Sequence, residues 1–280
     1  MDALQVGRAS LTWLNGGVNH LDGGAMFGVV PKALWTRYYP ANDQNQIELR
    51  TDPILIQLDG LNILIDSGIG NNKLTHKQKR NFGVTEESSI EASLSELNLS
   101  IDDIDIILMT HLHFDHACGL TKVSAKGYES VFKNATIYTS TIEWDEMRHP
   151  NIRSVNTYWE MNWKPIVEQV KTFNEEMEIV PGLKMIHTGG HSNGHAIIVF
   201  EDNEETFIHM ADIMATTAHQ NKLWAMAYDD YPVTSVHQKE KWMEYGYQKE
   251  AWYTFYHDAF RRAIKYNASG EEIEVVERRR

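Results

Sequence analysis

The sequence predicts an α/β sandwich in which helices flank two central mixed sheets. Apolar stretches of strand length recur along the whole chain, and segments with helical periodicity lie between them in both halves. No repeat with a period of about 20 to 50 residues is visible, and no low-complexity linker divides the 280 residues. We therefore expect residues 1–280 to form a single domain.

The first half of the chain begins with glycine-punctuated strands. Strands are predicted at residues 10–14, 26–30, 53–58 and 62–66. The pair Asp59-Gly60 between the last two strands is a strong hairpin signal. The glycine-rich segment from Gly16 to Gly28 fits either a lid or simple tight turns. Residues 85–97 have apolar side chains at helical spacing and glutamates in the early turns, which favours an amphipathic helix.

The second half continues the same alternation of elements. Strands are predicted at residues 104–109, 135–139, 183–187, 196–200 and 206–212. Residues 239–248 and 258–266 have helical spacing, and residues 251–256 fit either a strand or more helix. This recurrence of strands and helices is what an α/β sandwich requires.

Charge and composition exclude several classes of partner. A net charge of -13 argues against a surface that binds nucleic acid, and the sole basic cluster is the tail Arg278 to Arg280. The single cysteine, Cys118, cannot form an intrachain disulfide and suits a reducing cytosol. The first residues lack the features of a secretory signal, and no 18-residue apolar run predicts a membrane span. The expected location is cytoplasmic, without nucleic-acid or membrane partners.

The most informative motif is Thr-His-Leu-His-Phe-Asp-His at residues 110–116, directly after an apolar strand. It places four metal-ligating side chains within six residues: His111, His113, Asp115 and His116. Neutral imidazole and carboxylate are ligands that Zn²⁺ prefers. Alone, His191 and His257 would more often be structural histidines and Asp212 a turn residue, but each lies near the end of an apolar stretch and completes the pattern. The motif predicts a metal-dependent hydrolase.

This order of motifs resembles the metallo-β-lactamase superfamily, whose members share His-X-His-X-Asp-His, a glycine-flanked His, an Asp and a final His. The strand that ends in Asp66-Ser67-Gly68 also matches the superfamily pattern, in which that Asp supports the site from behind the ligands. Within the superfamily, the chain resembles the YtnP-type quorum-quenching lactonases in four segments: residues 11–17, 23–32, 188–192 and 210–214.

The resemblance implies two Zn²⁺ ions per chain, although manganese, iron or cobalt would also fit these ligands. It implies that His111, His113 and His191 hold the first ion. Asp115, His116 and His257 would hold the second, with Asp212 bridging the two. It also implies that a bridging hydroxide opens the lactone ring of N-acyl homoserine lactones. Asp115 and Asp212 are thus the expected catalytic residues, with Asp115 also passing a proton to the leaving oxygen.

One departure from the best-known lactonases concerns the position three residues after Asp212. Those enzymes have a carbonyl-binding Tyr there, whereas this chain has Ala215. Either a metal ion alone binds the carbonyl oxygen, or one of three nearby residues replaces the Tyr: His219, Tyr228 or Tyr231.

The roles of several other residues near the motifs are less specific. His195 and His209 fit either support of a metal ligand or a core role, and Cys118 is read as a buried inert thiol. Aromatic residues that fit either walls for an acyl chain or ordinary core are Phe27, Trp35, Trp144, Trp159, Trp163 and Tyr231.

The favoured function is therefore a zinc-dependent N-acyl homoserine lactonase that binds a small lactone. The main alternative is an organophosphate hydrolase of the same superfamily, because the same centre can attack phosphorus. A non-catalytic metal-binding module is disfavoured because none of the seven ligands is missing. The sequence also allows two copies of the chain to form a homodimer.

Overall fold

The computed structural model describes residues 1–279 and contains, within them, eighteen β-strands and eight α-helices. The strands are β1 (Ala3–Val6), β2 (Ala9–Trp13), β3 (Val18–Asp22), β4 (Gln46–Arg50), β5 (Ile54–Leu58), β6 (Leu61–Ile65), β7 (Ile106–Leu108), β8 (Thr121–Ser124), β9 (Gly127–Ser130), β10 (Thr136–Ser140), β11 (Val170–Phe173), β12 (Glu176–Val180), β13 (Leu183–His187), β14 (Ala196–Asp202), β15 (Glu205–His209), β16 (Trp252–Thr254), β17 (Arg261–Tyr266) and β18 (Glu272–Glu277). The helices are α1 (Gly23–Phe27), α2 (Lys32–Trp35), α3 (His76–Asn81), α4 (Ile90–Glu96), α5 (Phe114–Ala117), α6 (Thr141–Arg148), α7 (Glu160–Trp163) and α8 (Pro232–Gln248). None of these helices is both long and apolar enough to cross a bilayer.

Two seven-stranded mixed sheets form the centre of the fold. The first has the order β1-β2-β5-β6-β7-β10-β11, and the second runs from β12 to β18 in chain order. In the first sheet β6, β7, β10 and β11 are parallel, whereas in the second only β15 and β16 are parallel. The predicted hairpin around Asp59-Gly60 is confirmed, because β5 pairs antiparallel with β6.

Alternating side chains on the strands create the layers of the sandwich. In β5, Ile56 belongs to the core between the sheets, while Leu55 packs on the outer face with residues of α4. In β14, Ile198 faces the inner core, while Ile197 packs on the opposite face with residues of α8. Both outer faces are thus covered by helices. The predicted sandwich of two mixed sheets between helices is confirmed.

Two predicted elements are wrong, and the first is the strand at residues 26–30. This segment contains the end of α1 and a turn. The Asp22 carboxylate accepts a 2.8 Å hydrogen bond from the Ala25 amide, which caps the helix. Gly28 ends it with a φ of 57°, a conformation that glycine adopts without strain. Local capping therefore decides the structure of this apolar segment.

The second wrong element is the helix predicted at residues 258–266, where β17 pairs with β16 and β18. Its side chains alternate as a strand requires, because Ala263 faces the inner core and Ile264 the outer face. The Asp258 carboxylate accepts hydrogen bonds from two backbone amides that follow it, which makes a turn before the strand.

The bounds of three other elements differ from those predicted. The helix predicted at residues 85–97 begins only at Ile90, because the preceding backbone pairs with β3, where the Val18 amide donates to Glu86 O at 2.9 Å. The helix predicted at residues 239–248 begins earlier, at Pro232. Of the two structures open to residues 251–256, the strand β16 is the one observed.

The strand ends bring the candidate ligands to one edge of the sandwich. Asp66 and His111 follow the carboxyl ends of the parallel strands β6 and β7. Asp212 and His257 follow the ends of the parallel strands β15 and β16, and His191 lies in the connection from β13 to β14. Residues that are far apart in sequence therefore lie close together at this edge.

Candidate metal centre

The seven predicted ligands lie in one cluster, in which groups of three donor atoms lie within 4.8 Å of one another. Three such groups occur: His111 with His113 and His191, His111 with His116 and Asp212, and Asp115 with His116 and His257. The first and third groups are the two ligand sets that the resemblance implies.

Asp212 lies between these two sets. Its Oδ2 atom is 3.3 Å from His191 Nε2 and 3.9 Å from His111 Nε2. Its Oδ1 atom is 3.2 Å from His257 Nε2 and 3.5 Å from His116 Nε2. The two oxygens of one carboxylate thus face different histidines, which is the arrangement that a bridging ligand needs.

The close approach of ring nitrogens fits bound cations. His116 Nε2 lies 3.1 Å from His257 Nε2, and His113 Nδ1 lies 3.0 Å from His191 Nε2. Two nitrogen lone pairs at this distance repel each other unless a proton or a metal ion lies nearby. A cation between the rings would remove this repulsion, as in a metal site.

Unpartnered donor atoms and shifted pKa values support the same fit. His111 Nε2 and Asp212 Oδ1 are buried without a hydrogen-bond partner, which is costly for polar atoms. Burial lowers the pKa of His111 and of His113 well below 6.5, so both rings are neutral, the form that binds metals. Burial acts to raise the pKa of Asp212, but the facing imidazoles, His257 foremost, hold it well below its ordinary value. The residues present fit a divalent metal ion.

Four of the five imidazoles in the cluster also have a partner on their second nitrogen, which fixes the ring orientation. The pairs are His116 Nδ1 with Asp66 Oδ2 at 2.8 Å, His191 Nδ1 with Asp229 Oδ1 at 2.8 Å, His257 Nδ1 with Arg50 O at 2.7 Å, and His111 Nδ1 with Thr110 Oγ1 at 3.1 Å.

Asp66, for which the resemblance implies a supporting role, is buried and contacts His116. Besides His116, its carboxylate accepts 2.8 Å hydrogen bonds from the amide and the hydroxyl of Thr110. Since Thr110 precedes His111, Asp66 holds the start of the ligand loop as well as one ligand ring. Its own φ of 56° lies in the left-handed region, which an Asp tolerates better than most residues.

His195 contacts the bridging position, whereas His209 does not. His195 Nε2 accepts a 3.2 Å hydrogen bond from the Asp212 amide, and its Nδ1 lies 2.9 Å from Thr188 Oγ1. His195 therefore holds the backbone of Asp212. His209 bonds through Nδ1 to Thr254 and contacts none of the cluster by hydrogen bond.

Asp229 is a residue that the sequence reasoning missed. One of its oxygens binds His191 Nδ1, and the other accepts a 3.2 Å hydrogen bond from the Met226 amide. The sequence signal was weak, since Asp229 is one of two adjacent aspartates shortly before Pro232. Only the fold brings it 38 residues back along the chain to His191.

Replacing Asp229 with alanine is expected to lower kcat/KM by about 10- to 100-fold, because His191 loses the acceptor that orients it. Steady-state kinetics and metal titration of the purified variant would measure the loss. The matched control is Asp145→Ala, whose side chain is 65 % exposed and lies outside the cluster. Equal kinetics in Asp229→Ala and wild type would show that His191 needs no support.

Glu143 is a second missed residue, and it joins the two ligand loops. It is fully buried and accepts hydrogen bonds from the Leu112 amide at 2.7 Å, Tyr158 OH at 2.8 Å and Ser192 Oγ at 2.6 Å. Leu112 lies between two ligands, and Ser192 follows His191. Burial raises the pKa of Glu143 to about 7, while these hydrogen bonds oppose the shift.

The cluster forms one side of a cavity of about 340 Å³. His113, Asp115, His191, Asp212 and His257 are the cluster residues that line it. Its apolar lining consists of Leu21, Met26, Leu49, Phe82, Phe114 and Met226. Its other polar lining consists of Arg153, Ser154, Asn156, Thr157, Tyr228 and Asp230. A cavity of this size and character fits a small amphiphilic molecule.

Several predicted substrate contacts lie outside this lining. Phe27 is fully buried and stacks on Trp35 and His219, each at 4.8 Å between ring centroids. The ring of His219 is used in hydrogen bonds to Thr216 Oγ1 and Met26 O, both at 2.8 Å. These residues form core behind the cavity.

The remaining predicted aromatics are also placed elsewhere. Trp159 stacks on the outer side of the lining residue Phe114 at 5.1 Å, and Trp144 packs edge-on against Trp163 at 6.3 Å. Tyr231 is 43 % exposed and does not line the cavity. Of the three residues proposed to replace the missing carbonyl-binding Tyr, only Tyr228 lines the cavity.

The glycine-rich segment that fits either a lid or tight turns contacts the cavity, and we call it the lid. Met26 of α1 and Leu21 of β3 are lining residues, so the segment from Gly16 to Gly28 covers part of the site. This segment is tied to the opposite wall, because the Ala227 amide donates to Ala25 O at 2.8 Å.

Comparison with known families then decides the class of protein. Residues 48–264, more than three quarters of the chain, match the Metallo-beta-lactamase superfamily. The chain belongs to the metallo-β-lactamase superfamily. The predicted family and the coarse prediction of a metal-dependent hydrolase are thereby confirmed.

Individual members of the superfamily resemble the chain to different extents. A probable metal-dependent hydrolase from Staphylococcus aureus is 49 % identical in its crystal structure, with a TM-score of 0.96 over 99 % of both chains. AidC, a dizinc quorum-quenching lactonase, has a TM-score of 0.78 over 99 % of this chain and 97 % of its own, but at 18 % identity it shows the fold alone. The N-acyl homoserine lactonase AiiA of Bacillus thuringiensis subsp. kurstaki is 29 % identical over 121 residues, which cover 43 % of this chain and 42 % of that enzyme. The chain thus spans less than half the length of AiiA.

Proposed function

We propose that the protein is a dinuclear metal-dependent lactonase that opens N-acyl homoserine lactones. The observation that carries this proposal is the position of Asp212 between two ligand sets beside a cavity with an apolar wall. The partial relatedness to AiiA supports the choice of substrate.

The chain provides complete ligand sets for two ions. His111, His113 and His191 would hold one ion, and Asp115, His116 and His257 would hold the other, with Asp212 shared between them. When bound, two such ions lower the pKa of water and polarise a carbonyl group. Zinc is the ion we propose, because the ligands are imidazole and carboxylate.

The side chains around the ligands determine how a lactone would bind. The apolar wall, which includes Leu49 and Phe82, would accept an acyl chain, and the lid residue Met26 would exclude water. Asp115 lines the cavity with a carboxylate oxygen 3.7 Å from His257 Nε2. Its other oxygen would take up the proton of the attacking hydroxide and pass it to the ring oxygen that leaves.

Steady-state kinetics on two substrates would test the proposal. We expect zinc-loaded protein to favour N-decanoyl homoserine lactone over the phosphotriester paraoxon by orders of magnitude in kcat/KM. The same assay with manganese, iron and cobalt would determine which metal supports the reaction best. A preference for paraoxon would contradict the lactonase proposal and favour the phosphotriesterase alternative.

A further inference from the structure

Tyr228 is one of the polar residues of the cavity, and it carries a phenol hydroxyl. It lines the cavity together with Asp115, Asp212 and His257, and 40 % of its surface is exposed. Among residues 1–279, its phenol makes no hydrogen bond to protein. By contrast, Tyr158 OH and Tyr256 OH, which lie near the same cluster, donate to Glu143 and to Asp115 O. The Tyr228 hydroxyl is therefore free to bind a molecule in the cavity.

The backbone around Tyr228 is fixed to a ligand of the cluster. On its carboxyl side, Asp229 binds His191 Nδ1 at 2.8 Å and the Asp230 amide donates to His191 O at 3.0 Å. On its amino side, the Ala227 amide donates to the lid at Ala25 O, and the Ala227 carbonyl accepts from Arg153. Since both neighbours are held, the backbone that carries the phenol has a defined position relative to His191.

The charge state of the phenol suits a hydrogen-bond donor. Burial and the nearby carboxylates of Asp22 and Asp115 raise the pKa of Tyr228 to about 12. The hydroxyl therefore keeps its hydrogen at neutral pH. A neutral donor that is fixed beside the reacting atoms stabilises negative charge as it develops on a substrate oxygen.

We propose that Tyr228 donates a hydrogen bond to the carbonyl oxygen of the ester that is cleaved. This inference rests on the proposed lactonase function and identifies a protein donor for the oxygen. The phenol keeps its proton throughout, so it binds the oxygen without acting as an acid or a base.

Tyr228→Phe tests the proposal, because it removes the hydroxyl and keeps the ring. We expect kcat on N-decanoyl homoserine lactone to fall by about 10- to 100-fold, with KM changed by less than about threefold. Tyr231→Phe is the matched control, since Tyr231 is similarly exposed but lies outside the cavity lining. Its kinetics should equal those of the wild type.

The outcomes separate failure of this inference from failure of the proposed function. If the wild type opens the lactone and Tyr228→Phe matches it, the role of Tyr228 is wrong and the lactonase proposal stands. An equal loss in Tyr231→Phe would also overturn the role of Tyr228. If the wild type opens no lactone at all, both proposals fail.

Discussion

Replacing Asp212 with alanine is expected to lower kcat/KM by on the order of 1,000-fold or more, about 4 kcal/mol in the activation barrier. The reason is geometric, because Asp212 Oδ1 faces His257 and His116 while Oδ2 faces His191. Without this carboxylate, two cations would repel each other at short range and the second ion would bind weakly. Metal analysis after dialysis should therefore find fewer ions per chain in the variant.

Asp212→Asn is the informative companion variant, because it keeps the volume of the side chain and one carbonyl oxygen but removes the charge. We expect a loss of activity close to that of the alanine variant. Thermal unfolding of the metal-free proteins would confirm that both variants fold. Activity and metal content at the wild-type level in Asp212→Ala would contradict a bridging role.

Replacing Arg262 with methionine is expected to lower the free energy of unfolding by about 3 to 5 kcal/mol. Arg262 Nη1 lies 2.6 Å from Asp52 Oδ2, and its Nε lies 2.9 Å from Asp2 Oδ2. These three side chains are at most 7 % exposed. Removing the guanidinium leaves Asp2 with the more distant Arg279 and leaves Asp52 with Arg50 and the Gly16 amide, although methionine fills much of the space.

Urea unfolding in the presence of a chelator would measure this cost without a contribution from bound metal. The neighbouring Arg261→Met is the matched control, because Arg261 pairs with Glu272 and Glu277 at the surface. We expect that control to cost less than about 1 kcal/mol. Similar costs for the two variants would show that the buried ion pairs do not stabilise this fold.

The Arg262 network also explains why the last part of the chain was predicted wrongly. Residues 258–266 have apolar spacing that fits a helix, but Arg262 finds its partners at Asp2 and Asp52, in the first quarter of the chain. Those contacts exist only when the segment is a strand between β16 and β18. Periodicity within a nine-residue window cannot report such distant partners.

The candidate ligands, by contrast, could be proposed from sequence, because their signal is a local motif together with the order of residues that the resemblance implies. Four of them lie in one short motif, and the other three follow apolar stretches whose strand character is also local. The roles of Asp229 and Glu143 were not predicted, because a carboxylate that supports a ligand has no sequence motif of its own. Their roles depend on contacts made by the folded chain, to His191 and to Ser192.

The cavity walls were the least predictable part of the site. Phe27 lies in the glycine-rich segment and Trp159 in a segment rich in aromatic residues, yet Phe27 stacks on Trp35 and Trp159 on Phe114. Phe82 and Phe114 line the cavity although neither was chosen. The sequence predicts that an aromatic side chain is buried. Whether that side chain packs in the core or lines the cavity depends on how the loops pack.

The central claim is that the seven-residue cluster holds two metal ions. Anomalous diffraction from crystals of zinc-loaded protein, measured on both sides of the zinc absorption edge, tests it most directly. We expect two zinc peaks, one beside His113 and His191 and one beside His116 and His257, with Asp212 between them. A single peak, or none within the cluster, would contradict it.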